Sequence, residues 1–202
     1  MDLKFYRDIQ SLLKQLATQP LTLKDILAQT SERGFSVMIL LLTLPFLFPL
    51  PPGFPAVLGW GCFLLAVQMA MGRRKPWLPS KIAKFQFPQW FSRKLLINLK
   101  RLTKLLEKFV RPRLLSVAAN PKIWRWNGIC IAWLTVLLML PIPFTNPIPT
   151  IGILLLAIAT LEEDGLLMCI SYGVMALITL FFGFIFYAIW LAPQLLPNLF
   201  QS

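Results

Sequence analysis

The sequence has no histidine. That absence removes the usual general base, the common nucleophile–His pairs and most zinc chemistry. Acids are scarce, eight Asp and Glu against twenty Lys and Arg, and Glu162, Glu163 and Asp164 form the one acidic cluster outside the N-terminal region. The three cysteines, Cys62, Cys130 and Cys169, stand far apart inside apolar stretches, so neither a disulfide framework nor a paired ligand spacing follows from them. Nor is there a phosphate-cradling glycine loop or a nucleic-acid recognition module. The expectation is a chain with no metal centre and no cofactor, not an enzyme, and not a nucleic-acid binder despite a formal net charge of +12.

Charge of either sign is missing from long stretches. Residues 34–72 and 126–161 carry none, and none follows Asp164. Only 14% of the chain is charged and 57% is hydrophobic, whereas a soluble domain carries about 25% charged residues. Each uncharged block holds at least one crossing of roughly 20 residues, so the composition implies an integral membrane protein. Residues 73–125 between the first two blocks carry fifteen of the twenty basic residues against one acid, Glu107, which places them on the cytoplasmic side.

Within that basic segment, Leu95, Leu99, Leu102, Leu106 and Phe109 recur at helical steps, with Lys100, Arg101, Lys104 and Lys108 largely on other faces. An amphipathic helix lying on the inner leaflet is expected. Together with Arg73, Arg74 and Lys75, these residues meet anionic lipid headgroups. Residues 1–33 read as two short amphipathic helices on the same side. They lack the apolar core and cleavage site of a signal peptide.

The blocks themselves are broken. Residues 42–61 hold Pro45, Pro49, Pro51, Pro52 and Pro55 with Gly53, and the second block breaks at Pro141, Pro143, Pro147 and Pro149. Proline removes backbone donors and frees carbonyls, and in lipid each unsatisfied group costs several kcal/mol. Such backbone must be buried in protein, line a wet cavity, or protrude into the far headgroups. The expected fold is all-α: a membrane hairpin over 34–72, a second over 126–164 with arms short enough for re-entry, a transmembrane helix over 165–192, and a tail. At a shift of 96, Leu44, Pro45, Phe48 and Pro51 lie over Leu140, Pro141, Phe144 and Pro147, which leaves internal duplication and chance proline matches both open. A duplicated broken element is a pointer to a midplane site.

Polar residues in or beside these blocks are the candidate ligand- or ion-binding groups. Asn146 lies in the second turn, where its amide can bind freed backbone or a ligand, or simply form the turn. Gln68 lies just before the basic cluster, at headgroup level. Glu162, Glu163 and Asp164 can couple to a cation or proton, or serve as a solvated turn.

The stretches SERGFSVMILLLTLPFLFPLPPG, GWGCFLLAVQMAMGRRKPWLPSKI and LPIPFTNPIPTIGILLLAIATLEEDG resemble the ExoD family of bacterial exopolysaccharide synthesis membrane proteins. The carrying pieces are Glu32-Arg33-Gly34-Phe35, Gln68 with Gly72-Arg73-Arg74 and Pro76-Trp77-Leu78-Pro79, and Leu140-Pro141 with Asn146 and Asp164-Gly165. Glu162-Glu163 departs from the basic residue expected before Asp-Gly. The resemblance implies an inner-membrane location and a part in exopolysaccharide production, with no established reaction, cofactor or catalytic residue.

The resulting expectation is a multi-pass plasma-membrane protein supporting exopolysaccharide synthesis or export, transporter- or channel-like, with a polar cavity at the proline turns. The alternative is a non-catalytic scaffold subunit of a polysaccharide assembly complex; an enzyme acting on a lipid-linked sugar ranks third. Expected partners are anionic lipid, polysaccharide assembly proteins and further copies of the chain.

Overall fold

The structure is a computed structural model that describes residues 34–47, 54–77, 79, 120–140, 142 and 145–199. The N-terminal helices, the amphipathic segment with Lys100, Arg101, Lys104 and Lys108, and the turn residues Pro49, Pro51, Pro52, Gly53, Pro141 and Pro143 lie outside the described residues. All regular structure among the described residues is helical: α1 Gly34–Thr43, a 3-10 turn Leu44–Leu47, α2 Phe54–Ala70, α3 Pro121–Leu138, α4 Pro147–Leu161 and α5 Gly165–Leu199.

Local chemistry sets the helix ends. Asn120 caps α3, its Oδ1 accepting from Lys122 N at 2.9 Å, and Pro121 takes the first helical position, where a missing N–H costs nothing. α3 therefore starts ahead of the uncharged block and carries Lys122 and Arg125 in its first turns. α2 ends in a Schellman turn: Arg73 N donates to Gln68 O at 3.0 Å and Gly72 N to Met69 O at 2.9 Å. Gly72 sits at φ +82, a conformation open to glycine at little cost. In the first hairpin, the helix of α1 tightens into the 3-10 turn at Leu44 and Pro45, where proline withdraws a donor.

Phe35 at the start of α1 meets Trp124 at the start of α3, ring centroids 5.9 Å apart. Trp124 Nε1 donates to Arg73 O, just past the end of α2, at 3.3 Å. One end of the bundle, here the near end, therefore gathers the starts of α1 and α3 and the end of α2. Gly59 and Met139 meet at the far end. Each hairpin leaves the near end and returns to it, and the arms cross-pack: α1 against α2 and α4, α3 against α2 and α4, with α5 laid mainly on α4.

All ten residues of α1 are buried. Small residues let the other helices close in. A side-chain carbon at Gly128 would lie 2.3 Å from Ala70 N and 2.8 Å from Ala66 O, so α2 and α3 touch backbone to backbone. At mid-depth Gly152 admits Ile178 of α5 and Leu134 of α3. Past Ile178, α5 continues to Leu199, about 30 Å of helix, whereas α4 begins only five residues before Gly152. The end of α5 therefore outruns its neighbours, which is why Phe184 is 70% exposed and Trp190 66%. Gly165–Leu191 is the one helical stretch among the described residues long and apolar enough to cross a membrane.

Candidate functional site

The exterior of this bundle is largely apolar, and a set of polar side chains is buried within a core that is otherwise apolar. Thr43, Gln68, Asn127, Thr135, Thr150, Thr160, Asp164 and Ser171 are buried, while Trp60, Trp126, Ile129, Trp133, Leu177 and Leu180 are exposed. The buried polar side chains fall into groups at two depths.

In the far half, Cys62 of α2 lies between Thr43 of α1 at 3.8 Å and Thr135 of α3 at 3.4 Å. Both threonines also bond back within their own helices, Thr43 to Ile39 O and Thr135 to Ile131 O. Thr150 of α4 does likewise, its hydroxyl donating to Asn146 O at 2.7 Å. In the near half, Asn127 of α3, 0% exposed, holds three helices together. Its Nδ2 donates to Thr160 Oγ1 of α4 at 3.0 Å and lies 3.7 Å from Met168 Sδ of α5, while Tyr172 OH of α5 donates to its Oδ1. Among the described residues, every buried side-chain nitrogen and oxygen has a partner.

The candidates from the sequence occupy four different surroundings. Gln68 is committed to backbone: its Nε2 donates to Trp77 O at 2.7 Å and Leu64 O at 3.2 Å, and Trp77 N donates to its Oε1 at 2.9 Å. That amide straps the segment after α2 onto the helix it has just left. Asp164 ends α4 and begins α5. Its N–H donates to Ala159 O at 3.0 Å, and its Oδ1 accepts from Leu166 N and Leu167 N, both at 3.1 Å, as an N-cap does.

Glu163 occupies the αL position of this turn at φ 57, where α2 uses glycine, and it is exposed while Glu162 is half-buried. The carboxylates are thus distributed over a helix–helix corner rather than pooled at one point. Asn146 stands at the N-cap of α4 in a helical conformation and makes no side-chain cap bond; its carbonyl, not its amide, engages Thr150. Pro147 and Pro149 fall in the first turn of α4, where proline is tolerated.

Arg73, Arg74 and Lys75 are exposed at the near end, and the Arg74 guanidinium lies 4.9 Å from the centre of the Trp124 ring. The structure therefore brings Gln68, the basic turn and the acidic corner to the near end and leaves Asn146 at the far one. Asn127 is not among the candidates that the sequence offers. It stands one position inside an uncharged block, the same signal that singles out Asn146. Thr160 and Tyr172, its partners, gave no sign, because their meeting depends on the cross-packing of α3, α4 and α5.

These features define a class: a helical-hairpin bundle with an apolar exterior and an apolar core that encloses hydrogen-bonded polar groups. The chain belongs to the family described as "Exopolysaccharide synthesis, ExoD", which matches residues 7–184. It is 32% identical to Protein ExoD of Rhizobium meliloti over 201 residues, 96% of this chain and 82% of that protein. It is also 33% identical to an uncharacterised Synechocystis protein over 150 residues, covering 72% of this chain and 69% of the relative. No solved structure matches it.

Proposed function

We propose that the chain is a multi-pass protein of the bacterial plasma membrane, with its N-terminus and residues 73–125 cytoplasmic, that supports exopolysaccharide synthesis or export as a transporter- or channel-like element. The apolar exterior, together with polar side chains buried in the core, carries this reading. An apolar exterior suits lipid, and buried polar residues at two depths are the groups that would line a route for a proton, ion or small polar solute. Such a path would run from Asn146 at the start of α4 past the Thr43–Cys62–Thr135 group to Asn127, Thr160 and Tyr172. These groups are hydrogen-bonded, and conduction would exchange some of those bonds for solute contacts.

The arms are short for full crossings. From their residue counts α2, α3 and α4 reach about 26, 27 and 23 Å, and α1 with its 3-10 turn about 23 Å, against about 30 Å of hydrocarbon. That favours hairpins that re-enter or dimple the bilayer. The cross-packing of first arms on second arms is the pattern a duplicated hairpin would give.

A second reading, a scaffold subunit of a polysaccharide assembly complex, has its own support. Gln68 and Asp164 have polar atoms engaged in holding backbone, as residues of a rigid framework would. The readings part in a deletion strain carrying Asn146→Leu protein verified in the membrane, with secreted polysaccharide and lipid-linked precursors measured. Failure with accumulated precursor supports transport; full secretion refutes the turn as a working site and favours the scaffold.

A further inference from the structure

The near end joins two basic segments that the sequence keeps 46 residues apart. Arg73, Arg74 and Lys75 follow α2, while Lys122 and Arg125 lie in the first turns of α3, and all five are exposed. Trp124 is the joint. Its indole N–H holds Arg73 O at 3.3 Å, its ring lies beneath the Arg74 guanidinium at 4.9 Å, and Phe35 braces it from α1. On the other side of the turn, a side-chain carbon at Gly72 would lie 2.7 Å from Arg125 Nε and 3.1 Å from Nη2. Glycine therefore lets the Arg125 guanidinium lie against the turn that carries Arg74.

Diffuse attraction to an anionic surface needs none of this arrangement, since it depends on the number of charges and not their orientation. Stacking on an aromatic face and seating against a turn restrict two guanidinium groups in advance. The planar guanidinium fork matches two oxygens of a phosphate, which an ammonium cannot do. Exposed Trp126 and Trp77 flank the same end, as aromatic side chains do where lipid meets water.

We propose that Arg74 and Arg125, with Lys122 and Lys75 beside them, form a phosphate-binding site for the phosphate or pyrophosphate group of a lipid-borne headgroup or of a soluble anion. In its lipid-borne form the site rests on the reading that the near end meets the cytoplasmic leaflet. It would then hold a precursor lipid by its headgroup beside the bundle.

The test uses the full chain in phosphatidylcholine nanodiscs, with binding measured against a polyprenyl pyrophosphate or phosphatidic acid added to the discs, and separately against soluble inorganic pyrophosphate. The expected result is phosphate-dependent binding that Arg74→Lys and Arg125→Lys each weaken by about tenfold, because charge is kept while the bidentate fork is lost. Gly173→Ala, on α5 and open to its surroundings, should leave it unchanged. Binding of the lipid alone makes the source lipid-borne, and equal binding of free pyrophosphate makes it soluble; either upholds the site. Full binding by both lysine variants, or no preference among headgroups, overturns it while leaving the membrane reading intact. A chain that fails to enter the discs refutes the membrane reading instead, and the pyrophosphate arm still decides the site.

Discussion

Single residues at the two helix corners show how similar turns are met by different side chains. Gly72 enters the αL region at little cost, whereas Glu163 at φ 57 does so against its own Cβ. Glu163→Gly is expected to stabilise the protein by about 1 kcal/mol, read as a higher unfolding midpoint in detergent. Asp164→Ala should lose about 1 kcal/mol as Leu166 and Leu167 give up their cap, with Asp164→Asn retaining most of it. If Asp164→Asn instead abolished polysaccharide secretion at normal stability, the carboxylate would have a role beyond the cap. Asn127→Leu strands the Tyr172 hydroxyl, while the Thr160 hydroxyl keeps its bond to Leu156 O, and should cost about 1–3 kcal/mol. A double-mutant cycle with Tyr172→Phe should show coupling between the two, and additivity would mean that the contact carries no energy of its own.

Helix pairs depend on how closely backbones approach, and the α2–α3 contact is the most exacting. Gly128→Ala puts a methyl against Ala70 N and Ala66 O and should destabilise by about 1–3 kcal/mol. Gly173→Ala, open to its surroundings, should be tolerated, and equal behaviour of the two in thermal unfolding would refute close packing at Gly128. Much at this scale could be read from the chain: charge-free blocks and prolines marked the arms of both hairpins, and the long uncharged stretch after Asp164 marked α5. Where α3 begins was less legible, because Asn120-Pro121 sets the cap while Lys122 and Arg125 look like the tail of the basic segment. The strap from Gln68 to Trp77 could not be read either, since eight intervening residues give no period that points an amide at a backbone. The Asn127 group and the Trp124–Arg74–Arg125 arrangement lie between elements far apart in sequence, and only the packing brings them together.

At the scale of the molecule, an apolar exterior, hydrogen-bonded polar groups within an apolar core and cations gathered at one end form a single pattern. Exposed Trp77 and Trp126 lie at the near end, and exposed Tyr187 and Trp190 lie at the other end of α5, as two interfacial belts would. The central claim is that both hairpins leave and return to the cytoplasmic face while α5 crosses. Labelling with a membrane-impermeant maleimide tests it directly, in a chain whose Cys62, Cys130 and Cys169 are replaced by alanine and single cysteines are placed at Lys75, Lys122, Glu163 and Trp190. The account predicts that Lys75→Cys, Lys122→Cys and Glu163→Cys react only in inverted vesicles and Trp190→Cys only in intact cells. Reaction of Glu163→Cys from outside would contradict it, because the second hairpin would then end on the wrong face.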